Sequence, residues 1–575
     1  MKNKKKNAKL KSFFFKDYQD SEISFNKNNN KLVKILPNRV TFLFCVFLSL
    51  VFIFSIKIIY LSLFPEKNFY LSNNKNHFIN ERADIIDRNG AILARNIDIY
   101  SAGIRPQLVQ DKKKFLINLK LVFPELDIQE VKKKLNNENF FYIKKRLTED
   151  EKTKLWLIGN KAIVFEKKQF RIYPQKNLFS HVLGQIDEDN TGIAGVEKFF
   201  DQRLIDKKQI NNSLHLTLDS NLQYLIREEL IKAKNDFKPT GSAAILMNVD
   251  NGEILSLVSL PDYDLNKRIS ISEDIYTIKI TLGVYELGSV FKTFTIAAGL
   301  ENKIIKSNTL FKNLESSLTC DKFKISEHDE LPKDLSAEQL LIRSSNIGAV
   351  RIAQKVGEKN LKKFLNSLGL FKKIEFDLDE IGTPLSFRWG KCKLATASYG
   401  HGITTTPLQL AKAYAILGNG GYEINPSILK KEASLTEKRK QIISLKTSNE
   451  INSILRKVVN LDEGTANFAD IKGYSVAGKT GTALKYNSNA RLNTFVSLFP
   501  AHKPKYVLLV MLDDPKPAPQ YVYEFPPSEK FPNGFKHKGE KRNTSGWNTV
   551  VVTGKITEKI GPILAINNLQ ASNKI

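Results

Sequence analysis

The chain has 575 residues, 88 Lys and Arg against 60 Asp and Glu, a formal net charge of +28 and 42% hydrophobic residues, which suits packed cores over roughly three to five domains rather than disorder. The basic residues form no stripe interleaved with aromatics and Lys and Asn recur throughout, so nucleic acid is excluded as a partner and the charge leaves a membrane surface or a cell-wall polymer. Cys45, Cys320 and Cys392 are too scattered for a disulfide framework, and neither they nor the 7 histidines show metal-ligand spacing.

Residues 1–39 carry eleven basic and three acidic residues, opening on Lys2, Lys4, Lys5 and Lys6. They read as a disordered cytoplasmic tail. Val40 to Ile56 holds no charge, and after Lys57 the apolar run resumes to Phe64. That length suits one membrane-spanning helix over 40–64, and the basic flank sets its N-terminus in the cytoplasm. The tail is long for a signal peptide and no small-x-small site follows Phe64, so the helix is expected to stay as an anchor. A hydrophobic core helix is the plainer alternative.

Residues 65–80 read as a polar connector. From Arg82 the chain alternates, then turns at Asn89-Gly90, a hairpin signal, with Ala91 to Arg95 as the return strand. Over 106–170 helical and strand-like segments mix without a clean pattern. Residues 65–205 carry no catalytic constellation, and His181 and Glu197 read as structural. A strand is expected over Leu214–Asp219, a helix from Ser220 to Lys234, and two strands over 241–259 joined by a type I′ turn at Asp250-Asn251-Gly252.

Residues 302–340 read as charged loop. Helices are expected over Ala337–Arg343, Ile347–Val356, Leu361–Leu368 and Pro407–Leu417. Strands resume over Tyr474–Leu484, Thr494–Phe499 and Tyr506–Asp513. Asp513-Asp514 reads as a solvated strand end and Gly418-Asn419-Gly420-Gly421 as a turn. Residues 515–546 read as a mobile excursion, and a last helix spans Gly554–Ile566. Strands, a helical middle, then strands and a final helix make an α+β layered domain.

Three short motifs carry chemistry. Ser289-Val290-Phe291-Lys292 opens an apolar, helix-compatible run. Residues three apart share a helical face, so the Lys292 amine is expected to reach the Ser289 hydroxyl, and a helix N-terminus favours a developing alkoxide. Ser344-Ser345-Asn346 follows 55 residues after Ser289, at a turn between apolar helical segments, and Lys479-Thr480-Gly481-Thr482 lies 135 residues beyond Ser344, on a strand. Acyl transfer needs a nucleophile, a base, a proton relay, a carboxylate holder and an oxyanion hole. Ser289 suits the first and a neutral Lys292 the second, its neutrality favoured by burial and by Lys479 nearby. Ser344 suits the relay, and the Asn346 amide suits positioning Lys292 and a substrate amide. Lys479, Thr480 and Thr482 suit a substrate carboxylate, Gly481 lets a peptide lie flat, and the backbone N–H groups of Ser289 and Thr482 suit the oxyanion hole. Strand alternation separates Lys479 and Gly481 from Thr480 and Thr482, so both sets contribute only from an edge strand. No metal or other cofactor is expected.

This ordered triple is the signature shared by penicillin-binding proteins and class A β-lactamases. The chain resembles the class B penicillin-binding proteins from the anchor to near the C-terminus. Arg82…Asp87-Arg88-Asn89-Gly90, Arg171…Tyr173-Pro174…His181…Gly184 and Gly192…Gly195…Glu197 resemble motifs of the family's pedestal. Pro261-Asp262-Tyr263-Asp264…Asn266 and Ser398-Tyr399-Gly400-His401-Gly402…Thr406-Pro407…Gln409-Leu410 resemble segments of its transpeptidase domain. Arg82-Ala83-Asp84-Ile85 with Tyr285-Glu286-Leu287-Gly288-Ser289 is most similar to the division-specific, FtsI-type enzymes. Ala83, Leu287 and Gly554-Lys555-Ile556 depart from common family patterns.

The resemblance implies a membrane-anchored, two-part ectodomain: an elongated pedestal or dimerisation domain over 65–205, then a β-lactamase-like transpeptidase domain over 206–566 with a central antiparallel sheet flanked by helices, and a tail over 567–575. It implies cross-linking of D-Ala-D-Ala stem peptides of peptidoglycan at the septum through a Ser289 acyl-enzyme that β-lactams also form. The implied setting is the inner membrane, single-pass with the catalytic domain periplasmic, beside a polytopic lipid-II polymerase and other divisome membrane proteins. An elongation-specific transpeptidase is the near alternative; an idle β-lactam-binding scaffold or a sensor is the alternative of another class. A β-lactamase needs a water-activating base that no motif here assigns. A Cys320–Cys392 bridge is open to a chain outside the cytosol, with nothing in the sequence to select it.

Overall fold

The computed structural model describes residues 36–63 and 82–572, apart from 138, 188, 268–272, 322, 386–387, 391, 431–438, 486–487, 526–531 and 540–541. The chain divides into two units, Met1–Phe78 and Ile79–Ile575. In the first, Leu36–Leu63 is one helix of 28 residues, starting before the expected Val40. Its Phe42, Phe47, Phe52 and Ile58 side chains are exposed. Among the described residues no helix is long and apolar enough to cross a membrane. The side chains described in this helix are Phe42 and those of 44–59, a stretch shorter than the ~20 apolar residues a span takes. The basic tail up to residue 35 and the connector over 65–80 lie outside the described residues.

The second unit opens on the expected hairpin. Ile85–Ile86 pairs antiparallel with Ile92–Ile104, Gly90 takes φ +88°, and the Asp87 carboxylate accepts from the Asn89 and Ala91 amides at 2.8 Å. The return strand runs well past Arg95 because it has two further partners, Ile163–Ile172 and Phe141–Leu147. Helices Lys112–Val122, Ile128–Asn137 and Glu149–Leu157 contribute Phe115, Leu119, Val131, Leu135 and Leu155 to a separate small core here. The pattern over 106–170 was obscured because Ile163–Ile172 carries Glu166-Lys167-Lys168 in its middle, which breaks the alternation.

The base of this region belongs to the main core. Ala83, Ile85, Leu93, Tyr173, Phe179 and Val182 join the apolar cluster that also holds the C-terminal sheet. The expected strand at Leu214 is two residues long and pairs parallel with Ile85–Ile86. Glu197 is fully buried; its Oε2 accepts from Arg82 Nη2 at 2.9 Å and its Oε1 from Arg171 Nε at 2.7 Å. His181 is also buried, with Nε2 at 2.7 Å from the Ile275 carbonyl. Both residues hold structure, as read.

The large sheet is antiparallel, in the order Ala477–Leu484, Arg491–Phe499, Tyr506–Asp513, Gly241–Asn248, Ile254–Leu260. Its inner strands are buried nearly end to end, because helices cover both faces. Ser220–Phe237 packs with Thr549–Ser572 against it, and Pro407–Gly418 packs with Leu445–Asn460. The α+β class and the flanked antiparallel sheet stand as expected.

Several local expectations are corrected. Only Gly252 of the turn before Ile254 takes a positive φ, so the turn is not type I′, which needs two such residues. The stretch read as charged loop holds the hairpin Ser317–Cys320/Phe323–Ser326 and the pair Leu310–Phe311/Leu335–Ser336. Helices Lys393–Ser398 and Leu445–Asn460 were not anticipated. The expected excursion carries an ordered hairpin, Val522–Phe525/Phe535–Lys538. The last helix is Thr549–Ser572, so it starts before Gly554 and continues through most of the expected tail. Gly554 is a close-approach position rather than a boundary, and Gly561 is a second close approach: a Cβ would meet the Phe468 carbonyl and the Tyr474 ring, each at 2.4 Å. Cys320 and Cys392 form a disulfide with Cα atoms 5.7 Å apart.

Candidate active site

Ser289 lies on a single 3-10 turn, Gly288–Phe291, that runs into the helix Lys292–Glu301. Val290, Phe291, Phe294 and Ile296 are buried and anchor the turn in the main core. The Tyr414 hydroxyl donates to the Val290 carbonyl at 2.8 Å. Ser289 itself is half-buried and borders a cleft of about 460 Å³, together with Ser344, Thr480 and Thr482.

Glycines let three backbones close around this turn. A Cβ on Gly481 would sit 2.4 Å from the Leu287 carbonyl, one on Gly288 2.7 Å from the Thr482 carbonyl, and one on Gly400 2.1 Å from the Gly288 carbonyl. Gly481 therefore seats its strand against the nucleophile turn; it faces that turn rather than a peptide lying in the cleft. Ala477–Leu484 is the edge strand of the sheet. Alternation holds along it: Lys479 and Gly481 point inward, while Thr480 and Thr482 border the cleft. Position at the edge is what lets both sets reach one site.

Ser344 sits between the helices Ala337–Ile342 and Asn346–Val356 with φ +59°, a left-handed conformation costly for a non-glycine residue and held only by its surroundings. Lys292 Nζ donates to the Ser344 carbonyl at 2.5 Å and approaches the Ser344 hydroxyl at 3.2 Å. Lys479 Nζ donates to the same hydroxyl at 2.9 Å and to Thr480 Oγ1 at 3.2 Å. The expected contact from Lys292 to the Ser289 hydroxyl is not among the hydrogen bonds of the described residues; the amine is turned to the Ser344 turn, where two oxygens compensate its burial. Asn346 also departs from expectation. Its Nδ2 donates to the Ser326 carbonyl at 2.7 Å, so its amide ties the turn to the neighbouring hairpin instead of holding Lys292.

Both lysines are fully buried. Desolvation pushes Lys292 down to about 7, against the opposing pull of the Glu327 carboxylate. Lys479 is pushed well down by desolvation and by the Lys292 charge. Two buried amines facing one hydroxyl do not both hold a proton cheaply, so Lys292 is poised to accept one near neutral pH.

Three contributors escaped the sequence reading, Thr465, Ser545 and Glu327. Thr465 Oγ1 lies 2.9 Å from Thr480 Oγ1, and Thr482 Oγ1 accepts from the Ser545 amide at 3.1 Å, so loops from both sides fix the threonine hydroxyls. Glu327, at the head of the run Glu327-His328-Asp329-Glu330, accepts from the first turn of the Ser345-capped helix. Nothing in its local sequence distinguishes it from Asp329 or Glu330.

Comparison with known proteins agrees with this arrangement. Residues 79–221 match the penicillin-binding protein dimerisation domain, and 242–527 match the penicillin-binding protein transpeptidase domain. A probable peptidoglycan D,D-transpeptidase FtsI of Caulobacter vibrioides is 31% identical over 84% of this chain and 82% of its own length. The peptidoglycan D,D-transpeptidase FtsI of Buchnera aphidicola subsp. Baizongia pistaciae is 30% identical over 84% and 92%. Stage V sporulation protein D of Bacillus subtilis is 29% identical over 77% and 75%. Among solved structures, penicillin binding protein 3 of the tubercle Mycobacterium, complexed with aztreonam, shares the fold with TM-score 0.63 at 20% identity, covering 85% of this chain and 96% of that one. The chain belongs to the class B penicillin-binding proteins, among the FtsI-type peptidoglycan D,D-transpeptidases.

Proposed function

We propose that Ser289 is the nucleophile of a peptidoglycan D,D-transpeptidase that cross-links D-Ala-D-Ala stem peptides during septal wall synthesis. The observation that carries this is the convergence of Lys292 and Lys479 on the Ser344 hydroxyl, in the cleft that Ser289 borders. Neutral Lys292 takes the Ser289 proton as Oγ attacks the carbonyl carbon of the penultimate D-Ala. The backbone N–H groups of Ser289 and Thr482 hold the oxyanion. The Ser344 hydroxyl, within reach of both amines, passes that proton on from Lys292 to the leaving amine, and the terminal D-Ala departs. An amine of a second stem peptide then attacks the acyl-enzyme carbonyl, the ester bond to Ser289 Oγ breaks as the cross-linking amide forms, and the amine's proton returns through Lys292 to Ser289. Thr480 and Thr482, with Lys479 behind them, take the substrate carboxylate, and Asn346 keeps the Ser344 turn in place. A β-lactam follows the first half of this path and stalls as the acyl-enzyme.

The division role is supported by the FtsI names of two relatives above 29% identity. Depletion should make cells filament; rounding would favour the elongation-specific alternative. The intact triple weighs against an idle scaffold. We place 65–205 as the pedestal and 206 onward as the transpeptidase domain. The helix Leu36–Leu63, about 42 Å long at 1.5 Å per residue, with exposed apolar side chains and a basic N-terminal flank, is read as the inner-membrane anchor, with a periplasmic catalytic domain and polytopic divisome partners. The Cys320–Cys392 disulfide supports an oxidising compartment.

The test is acylation of the detergent-solubilised full chain by a fluorescent penicillin. Wild type should label covalently and Ser289→Ala should not. Label that survives the substitution would sink the assignment of the nucleophile.

A further inference from the structure

We propose that Glu327 is a positioning residue for acyl transfer, its carboxylate clasping the Ser344-Ser345-Asn346 turn beside Lys292. This rests on the acyl-transfer reading of the cleft. Glu327 Oε1 accepts from the Ser345 hydroxyl at 2.6 Å and from the Ile347 amide at 2.9 Å, and Oε2 accepts from the Asn346 amide at 2.7 Å. The first amides of a helix have no partner within it and carry partial positive charge. One carboxylate here satisfies two of them, while Ser345 Oγ accepts from a third, that of Gly348, at 2.8 Å. The clasp is reciprocal, since Asn346 Nδ2 returns to the Ser326 carbonyl next to Glu327.

A simple helix cap would need no more than this, but three features tie the clasp to the site. The residue just before the helix cap is Ser344, whose left-handed conformation persists only while its neighbours over-determine it. Glu327 borders the same cleft as Ser289 and Ser344. The hairpin that carries it is itself anchored: Cys320 is bonded to Cys392, and Ile325 packs with Ile347 and Val350. Glu327 is thus fixed from behind and grips the turn from in front. Its charge also acts on Lys292, raising the affinity of that amine for a proton. The other charged groups facing Lys292 are Lys479 from the edge strand and His328 from the Glu327 loop.

The test is the rate of fluorescent-penicillin acylation of the full chain against pH, with folding followed by circular dichroism. Glu327→Gln keeps the size, removes the charge and turns one acceptor into a donor. It should label about tenfold more slowly, and the acidic limb of its profile should move to lower pH, because Lys292 loses the charge that holds its proton. A merely structural cap slows labelling without moving that limb. A rate within about twofold of wild type, or an unmoved limb, overturns the proposal. Glu327→Asp retains the charge at shorter reach and should restore the position of the limb and part of the rate; an Asp variant no better than Gln overturns it as well, even where the Gln variant folds poorly. Ser289→Ala run alongside separates the two levels: label in that variant removes the acyl-transfer reading, while its absence with an unaffected Gln variant removes only the role of Glu327.

Discussion

Lys292 and Lys479 end on one oxygen. Their amines lie 3.2 and 2.9 Å from the Ser344 hydroxyl, and both side chains are fully buried. Each amine is costly to charge in that position, and a proton on one makes a proton on the other costlier still. The pair therefore does not rest as two fixed ammonium groups, and Lys292, lowered to about 7, is the amine poised near neutrality.

That poise has a pH signature. Lys292 is lowered from 10.5 to about 7, so acylation should rise with pH through about 7 as the base becomes neutral. The stability linkage has the same direction. Between about 7 and 10.5 the unfolded chain binds a proton at Lys292 that the native state does not, so the native state gains stability as pH rises across that window. Lys292→Met, similar in size and without the charge, should abolish acylation and raise Tm. Its Tm advantage should be greatest near and below pH 7 and shrink toward pH 10. Calorimetry that finds the advantage growing with pH contradicts the assignment.

The approach of Gly481 to the nucleophile turn makes a steric prediction. In Gly481→Ala the new Cβ falls 2.4 Å from the Leu287 carbonyl and 3.0 Å from Val290 Cγ1. Overpacking of this kind costs ~1–3 kcal/mol, and here the strain falls on the strand carrying Lys479 and on the Ser289 turn. Acylation should drop about tenfold or more, with Tm lowered modestly. Gly390→Ala, at an exposed position with nothing within 4 Å of the new Cβ, is the silent control. Equal labelling by the two variants would show that the close approach does not matter to the site.

Glu197 makes the largest stability prediction. It is the shared partner of two buried guanidinium groups, those of Arg82 and Arg171. Glu197→Ala leaves the buried Arg171 charge without its carboxylate and Arg82 with Asp201 alone, which costs ~3–5 kcal/mol. Urea unfolding should show the midpoint falling by the corresponding amount. A loss below ~1 kcal/mol would mean that water or Asp201, which lies 2.6 Å from Arg82, takes over the charge.

Glycine and local charge explain most of what was misread along the chain. Gly554, the first residue of the expected last helix, marks no helix start: its bare face admits Phe468, as that of Gly561 admits Tyr474, and the helix runs from Thr549 to Ser572. Leu445–Asn460 went unread although Ile451, Ile454, Leu455 and Val458 recur at helical spacing along its buried face. The short hairpins at 317–326 and 522–538 carry too many polar residues for a strand pattern, and their stability comes from the disulfide and from the aromatic contacts of Phe525 with Phe468 and Phe535.

The order and spacing of Ser289, Lys292, Ser344 and Lys479, the helix that follows the nucleophile and the antiparallel strands around it were determined by local sequence, because each depends on neighbours within a few residues. The direction of the Lys292 amine, the tie from Asn346 to Ser326, the grip of Glu327 and the inward face of Gly481 were decided only by tertiary structure. Each of these depends on which distant backbone comes within hydrogen-bonding or van der Waals range, and a short motif does not encode a distance across the core.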